Sequence, residues 1–227
     1  LGLDHLDKVK HDHQVKLSSK RFSFLHISSC FPRKGIDVLL KSYGDAFRSS
    51  DDVSLIIKTF NNPHNDVISM LNNLRAKDDL YPDVVVITKD LNEREIKALY
   101  LQSNVLVIPS RGEGFGLPIA EAMLLGIPVI TTNWGGQTDF CNAKNSWLVD
   151  YNFEASQSHF DLDYSYWAAP SVNDLSKQMV DVYNSSEAQI QVKTNLAKEL
   201  VNTLTWDKVV DKTISFIKED LPKCNNK

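Results

Sequence analysis

Short apolar runs and amphipathic stretches alternate along the first 150 residues, and the alternation predicts strands separated by helices. FSFLHIS (22–28) reads as a strand, followed by a helix beginning near Gly35 with Ile36, Leu39, Leu40 and Tyr43 on one face. VSLIIKTF (53–60) reads as a second strand, before a helix in which Val67, Met70, Leu71 and Leu74 recur at helical spacing. DVVVIT (83–88) precedes a third helix, where Asn92 can cap and Glu95 complete a capping box, with Ile96, Leu99 and Tyr100 as the buried stripe. NVLVIPS (104–110) is short and wholly apolar at its centre, which predicts a central strand. The loop RGEGFG follows, then a helix opened by Pro118 and ended by Gly126, then a strand at IPVITT (127–132) and a sixth at SWLVDY (146–151).

Beyond Tyr151 the pattern changes. Residues 152–170 lack periodicity and read as a long loop, and three helices are expected near 172–184, 187–201 and 206–219, with Ser171 and Thr205 as caps of the first and last. Strands alternating with helices predict an α/β, Rossmann-like fold: about six parallel strands, helices on both faces, and a helical C-terminal tail. Residues 1–20 are expected to be a polar linker and 21–227 one domain.

Composition narrows the class of function. The chain has 227 residues, 42% of them hydrophobic, enough for one α/β core. A net charge of −4 and a pI near 5.9 argue against an electrostatic nucleic-acid binder. No apolar run reaches the roughly 18 residues of a membrane span, and the polar opening segment has no signal-peptide core. The sequence starts without Met, so a piece of a longer protein is expected. Cys30, Cys141 and Cys224 are widely spaced and odd in number, and are expected as free thiols in a reducing cytoplasm.

The segment with chemistry is the loop at 110–117. Ligands of open parallel sheets bind at the carboxyl ends of the strands, and this loop leaves the fourth strand there. Gly112, Gly114 and Gly116 let the backbone approach a ligand, and the following helix offers N–H groups and a positive dipole end to a diphosphate. The dinucleotide fingerprint is absent, because Ile119 stands where GxGxxG needs glycine. Glu121 lies in the apolar stretch AEAMLLGIPVI, where a carboxylate needs a partner; a ribose diol would serve. Glu113, ahead of the helix, can reach a sugar. The alternative is a Glu121 paired with a basic neighbour and a solvated Glu113.

EGFGLPIAEAMLLGIPVITT with NWGGQTDF resembles the C-terminal, donor-binding domain of retaining GT-B glycosyltransferases of family 4, also called group 1. Glu113 and Glu121 match that family's two glutamates separated by seven residues, and PRKGIDVLL (32–40) matches its Lys-Gly segment. The resemblance covers residues 20–150 closely and the tail loosely. It implies transfer of a sugar from a nucleotide-diphosphate donor, UDP- or GDP-linked, to a hydroxyl acceptor with retention, in polysaccharide assembly. Glu113 would contact donor hydroxyls and stabilise an oxocarbenium-like transition state. Lys34 would neutralise the diphosphate. Gly114, Phe115, Gly116 and Leu117 would serve the sugar and diphosphate through backbone, Glu121 would hold the ribose, and Thr88 and Lys89 would grip the base. No cofactor and no metal is implied. The partners implied are the nucleotide sugar and an N-terminal acceptor-binding domain absent from these residues; peripheral membrane association would run through that half. Other GT-B enzymes, such as an epimerase or phosphorylase, and a non-catalytic binding module are the alternatives.

One position departs from the family. Ser29 stands where an arginine is usual, five residues before Lys34. Arg33 or Arg111 is expected to substitute, with Ser29 a weaker hydrogen-bond donor to phosphate. Elsewhere, His11-Asp12-His13, Asp161-Leu162-Asp163 and His159 are read as solvated rather than metal-binding or basic. Trp147, Tyr164, Tyr166 and Trp167 are expected to pack the tail helices against the sheet, with sugar stacking as the minority reading. Gly135 and Gly136 should form a tight turn near the site. Trp206, Val209, Val210, Ile214 and Ile217 make an apolar stripe on the last helix, which in the family packs across to the partner domain.

Overall fold

Alternate residues of each central strand belong to opposite cores, which is what turns the apolar runs into one sheet buried on both faces. The computed structural model describes residues 3, 9–10, 20–157 and 164–220. Strands β1 (Phe22–Ile27), β2 (Val53–Lys58), β3 (Asp83–Ile87), β4 (Val105–Ile108), β5 (Val129–Thr132) and β6 (Trp147–Val149) form a parallel sheet in the order β3-β2-β1-β4-β5-β6. Phe24, Leu55, Ile57, Val105 and Val107 point to one face. Their neighbours Leu25, Ile56, Leu106 and Ile108 point to the other.

The helices complete the two layers. Helix α1 (Ile36–Ala46), α2 (Val67–Arg75) and α5 (Val172–Tyr183) supply the first core with Leu39, Leu71 and Met179. Helix α3 (Glu93–Leu101), α4 (Leu117–Leu124) and α6 (Glu187–Val201) supply the second with Leu99, Ile119 and Ala197. Each of the leucine, isoleucine and methionine side chains among these, fully buried, stabilises by about 1.5–3 kcal/mol. Leu3 is also buried in the second core, and its N–H donates to Leu204 O at 3.0 Å. Asn92 and Glu95 form the expected capping box on α3, and Ser171 caps α5 by accepting from Asp174 N. Thr205 Oγ1 accepts from Lys208 N at the start of α7 (Trp206–Asp220).

The long loop expected over 152–170 is instead a hairpin. Its strands β7 (Tyr151–Ala155) and β8 (Tyr166–Pro170) pair antiparallel, Phe153 opposite Ala168. The predicted sixth strand 146–151 is cut in two at Asp150, whose N–H donates to the Asp174 carboxylate while its carbonyl accepts from Ser171 N. These bonds to the start of α5 take Asp150 out of the parallel ladder, and Tyr151 restarts as β7. The period-two pattern of YNFEA carried the signal.

The aromatic residues near this hairpin also differ from expectation. Trp147 does pack a tail helix, with Lys193 Nζ of α6 lying 4.8 Å from its ring centroid. Trp167 packs under the Arg111 guanidinium instead, and Tyr164 and Tyr166 are exposed. Trp206, Val210, Ile214 and Ile217 of α7 are exposed too. His11-Asp12-His13, His159, Asp161-Leu162-Asp163 and Cys224 lie outside the described residues. Cys30 and Cys141 are buried free thiols.

Candidate functional site

The strand order reverses between β1 and β4, and the loops leaving those two strands meet. In open α/β sheets such a switch point forms the crevice where ligands bind. Pro32–Lys34 makes a single 3-10 turn after β1, and Gly35 closes it with φ +69° and opens α1. Glycine is required there twice over: the conformation is left-handed, and a Cβ would lie 2.0 Å from Pro109 O. That close approach brings the β1 loop against the end of β4.

Lys34 and Glu113 are the result. Lys34 Nζ donates to Glu113 Oε1 at 2.5 Å, and Ser110 Oγ donates to the same oxygen at 2.6 Å. The two charged side chains retain only 12% and 9% of their exposure, so each is largely desolvated and compensates the other. Arg33 stands at the rim. Its guanidinium donates to Gly112 O and lies 4.0 Å from Glu113 Oε2.

Arg111, the other cation considered for the missing arginine, is committed elsewhere. Its guanidinium forks onto Asp37 at 2.8 and 2.7 Å and sits 4.7 Å above the Trp167 ring. Its N–H donates to Arg33 O, and its carbonyl accepts from Ala168 N, so it ties the β1 loop, the β4 loop and β8 together. Ser29 is half-buried and its carbonyl accepts from Asn62 Nδ2 at 2.9 Å.

The glycine-rich loop divides its glycines between two tasks. Gly116 has φ +85° and caps α4, whereas a Cβ on Gly112 or Gly114 would meet open space. Helix starts leave N–H groups without intrahelical partners; here Pro118 has none to offer and Ile119 N bonds back to Gly116 O, which leaves the Leu117 amide at the tip. Phe115 turns inward, its ring 5.2 Å from that of Phe140, so its backbone alone can serve a ligand. Glu121 is partly buried and accepts from Tyr100 Oη at 2.8 Å. Burial and the adjacent carboxylate both push the Tyr100 phenol well up, so it stays protonated and donating.

Gly135 and Gly136 support this loop from the side. Gly136 N donates to Glu113 O at 2.8 Å, and a Cβ on Gly136 would lie 2.0 Å from Gly114 O. Buried Gln137 pins the turn, donating to Thr132 O and Trp134 O. Thr88 and Lys89 are exposed at the end of edge strand β3, with β2 and β1 between them and β4; Lys89 Nζ lies 4.0 Å from Glu95 Oε1. The structure does not bring them to the Lys34–Glu113 pair.

His26, Ser110, Asp37, Tyr100 and Gln137 carry parts of the site that spacing did not single out. His26 had a signal, an ionisable residue inside an apolar strand. It is fully buried beneath the site, with Nδ1 2.8 Å from Val107 O and Nε2 2.7 Å from Ser28 Oγ. A carbonyl only accepts, so Nδ1 carries the proton and Ser28 donates to Nε2. Burial drives the imidazole down to about 4, against a smaller upward pull from the Val107 bond; Lys34 lowers it and Glu113 raises it further. Among the described residues no group of three or more His, Cys, Asp and Glu could hold a metal, and no helix is long and apolar enough to cross a membrane.

The fold and the site together define a class: a doubly wound α/β unit, one half of the GT-B architecture, with an ammonium and a carboxylate paired at its switch point. The chain belongs to the glycosyl transferases of group 1, whose family model matches residues 7–162. It is 29% identical over 132 residues to an uncharacterized 41.2 kDa protein of the cps region of Klebsiella pneumoniae, covering 58% of this chain and 33% of that one. It is 25% identical over 190 residues to an uncharacterized glycosyltransferase of Methanocaldococcus jannaschii, covering 82% of this chain and 45% of the relative. Similarity to the serotype-specific mannosyltransferase WbdA of Escherichia coli is 26% over 161 residues, 64% of this chain and 19% of that one. Among solved structures, a glycosyltransferase from Rickettsia africae superposes with TM-score 0.70 at 18% identity, covering 89% of this chain and 48% of the other. Anabaena HepE, solved with UDP and glucose, superposes with TM-score 0.69 at 17% identity over 89% of this chain and 49% of its own. The chain thus spans less than half the length of these relatives.

Proposed function

We propose that this chain is the donor-binding half of a retaining glycosyltransferase that moves a sugar from a nucleoside diphosphate to a hydroxyl acceptor. The observation that carries the proposal is the Lys34–Glu113 pair, held at the switch point in front of the α4 N-terminus. A diphosphate entering there would take Lys34 and the Leu117 amide as donors, with the helix dipole adding to both. Arg33, exposed beside the pair, supplies the second cation in place of the arginine missing at Ser29. Glu113, released from Lys34, would accept from donor-sugar hydroxyls, and Glu121 from the ribose diol.

The same groups serve the reaction. When the bond from the anomeric carbon to the diphosphate oxygen breaks, negative charge grows on the leaving group beside Lys34 and positive charge on the sugar ring beside Glu113. Preorganised charges of opposite sign at those two places stabilise the transition state more than the ground state. The acceptor would come from a second domain, and this chain alone is expected to bind donor with little transfer.

The reading is tested by titrating the chain with UDP and with GDP while following amide chemical shifts. Shifts at residues 34 and 115–117 are expected with one of them. No response to either at millimolar ligand overturns the donor site.

A further inference from the structure

Lys58 is the last residue of β2, and it retains only 8% of its exposure. Alternation along β2 puts it with Ile56 on the face covered by α3 and α4, the face of Tyr100 and Glu121. A lysine so buried needs a partner. Its ammonium donates to Thr59 O at 2.7 Å, and among the described residues no carboxylate forms an ion pair with it. Burial lowers its pKa, and the Asp90 carboxylate pulls the other way. Asp90 follows Ile87, the register partner of Lys58 on β3, in the exposed loop that leads to α3. The two charged residues thus lie at the carboxyl edge on neighbouring strands, within electrostatic reach and without an ion pair between them.

We propose that Lys58 and Asp90 read the base of the nucleotide, selecting the O=C–N–H edge shared by uracil and guanine. The inference rests on the proposed donor site for its location. With the diphosphate at Lys34 and the ribose at Glu121, the base continues along the carboxyl edge of the sheet. Toward β5 that edge is filled, because the Gly135–Gly136 turn packs on Glu113 and Gly114. The other direction leads across β1 and β2, about 5 Å per strand, to Lys58 and then Asp90. An ammonium only donates and a carboxylate only accepts. Uracil and guanine present a keto oxygen, which accepts, beside a ring N–H, which donates. Cytosine and adenine present an amine beside a ring nitrogen that accepts. That reversed edge would set donor against donor at Lys58 and acceptor against acceptor at Asp90, leaving both groups unsatisfied.

Isothermal titration of this chain with UDP, CDP, GDP and ADP tests the pair, since each keto base is matched in size by its amino counterpart. A preference for UDP over CDP, or for GDP over ADP, of about tenfold or more is expected. Lys58→Met keeps an apolar stem and removes the donor. It should weaken the preferred keto nucleotide about tenfold and leave its amino counterpart unchanged. Asp90→Ala, in an exposed loop, should narrow the same preference, and Lys177→Met on α5 should leave all four affinities intact. Equal affinity within both pairs overturns the inference. So does a Lys58→Met chain that binds both members of a pair more weakly by the same factor, which would put the ammonium on ribose or diphosphate. The amides of residues 34 and 115–117 judge the donor site separately. Shifts there without a base preference sink the reading of Lys58 and Asp90 alone, and no shift with any of the four nucleotides overturns both.

Discussion

Lys34 Nζ and Glu113 Oε1 lie 2.5 Å apart although 79 residues separate them in the chain. Each largely neutralises the other, so a diphosphate must compete with Glu113 for the lysine. Removing the competitor frees the lysine. Glu113→Gln is therefore expected to bind bare UDP or GDP about tenfold more tightly, while the complete parent protein loses transfer. Lys34→Ala should weaken the same nucleotide by about 10- to 100-fold, the worth of a lost charge-assisted hydrogen bond. Isothermal titration of both variants checks the pair; weaker UDP binding by Glu113→Gln would contradict the competition.

Gly136→Ala and Gly114→Ala separate support from approach. A Cβ at 136 would overlap Gly114 O at 2.0 Å, whereas at 114 it meets open space. Gly136→Ala should cost about 1–3 kcal/mol as the Glu113 loop is pushed away, and reduce nucleotide affinity with it. Gly114→Ala should stay within about 0.5 kcal/mol of the parent in denaturant unfolding.

His26 predicts an acid-sensitive core. Its pKa falls from 6.5 unfolded to about 4 folded. Between these values the unfolded state binds more protons, so stability rises with pH through that window and is lost as pH drops from 6.5 towards 4. The loss is on the order of 3 kcal/mol when complete. Melting temperatures from pH 7 to pH 4.5 should show this limb, and an NMR titration should find the His26 ring neutral at pH 5. A His26 midpoint near 6.5 would refute it.

Arg111→Lys should destabilise by about 2–4 kcal/mol, since lysine can neither fork onto Asp37 nor stack on Trp167. Because Arg111 also joins the β1 and β4 loops, amide exchange at residues 30–34 should rise together with the drop in melting temperature. Unchanged exchange there would limit Arg111 to a local role.

Tyr100→Phe removes the hydroxyl that donates to Glu121 at 2.8 Å. The loss is expected at about 1 kcal/mol of stability, with a few-fold weaker UDP binding measured by titration. A larger effect on binding than on stability would identify Tyr100 as a positioning residue for Glu121.

Much of this was legible from local chemistry. The six parallel strands, the capping box at Asn92 and Glu95, the start of α4 at Pro118 and the three tail helices follow from periodicity and from caps that act within a few residues. The loop carrying Glu113 could be found because glycines cluster where a helix begins. The hairpin β7–β8 was missed because its strands are short, separated by a polar stretch, and stabilised by cross-strand pairs distant in sequence. Arg33 and Arg111 are equivalent as cations in the sequence; the Asp37 fork and the Trp167 ring, both remote in sequence, engage Arg111, while Arg33 stays exposed beside Glu113.

The amino-acid sequence by itself determined which segments could become strands and helices, where the helices begin, and which residues carry charge at the sheet's carboxyl edge. Those properties depend on spacing and on neighbours three or four residues away. The tertiary structure alone decided that Lys34 pairs with Glu113, that Tyr100 donates to Glu121, and that Trp134 meets Phe153 of β7. Each of those contacts joins elements brought together by the strand order and by close backbone approach at Gly35 and Gly136. Desolvated pairing of charges is a property of that enclosed space, and it does not exist until the sheet has assembled.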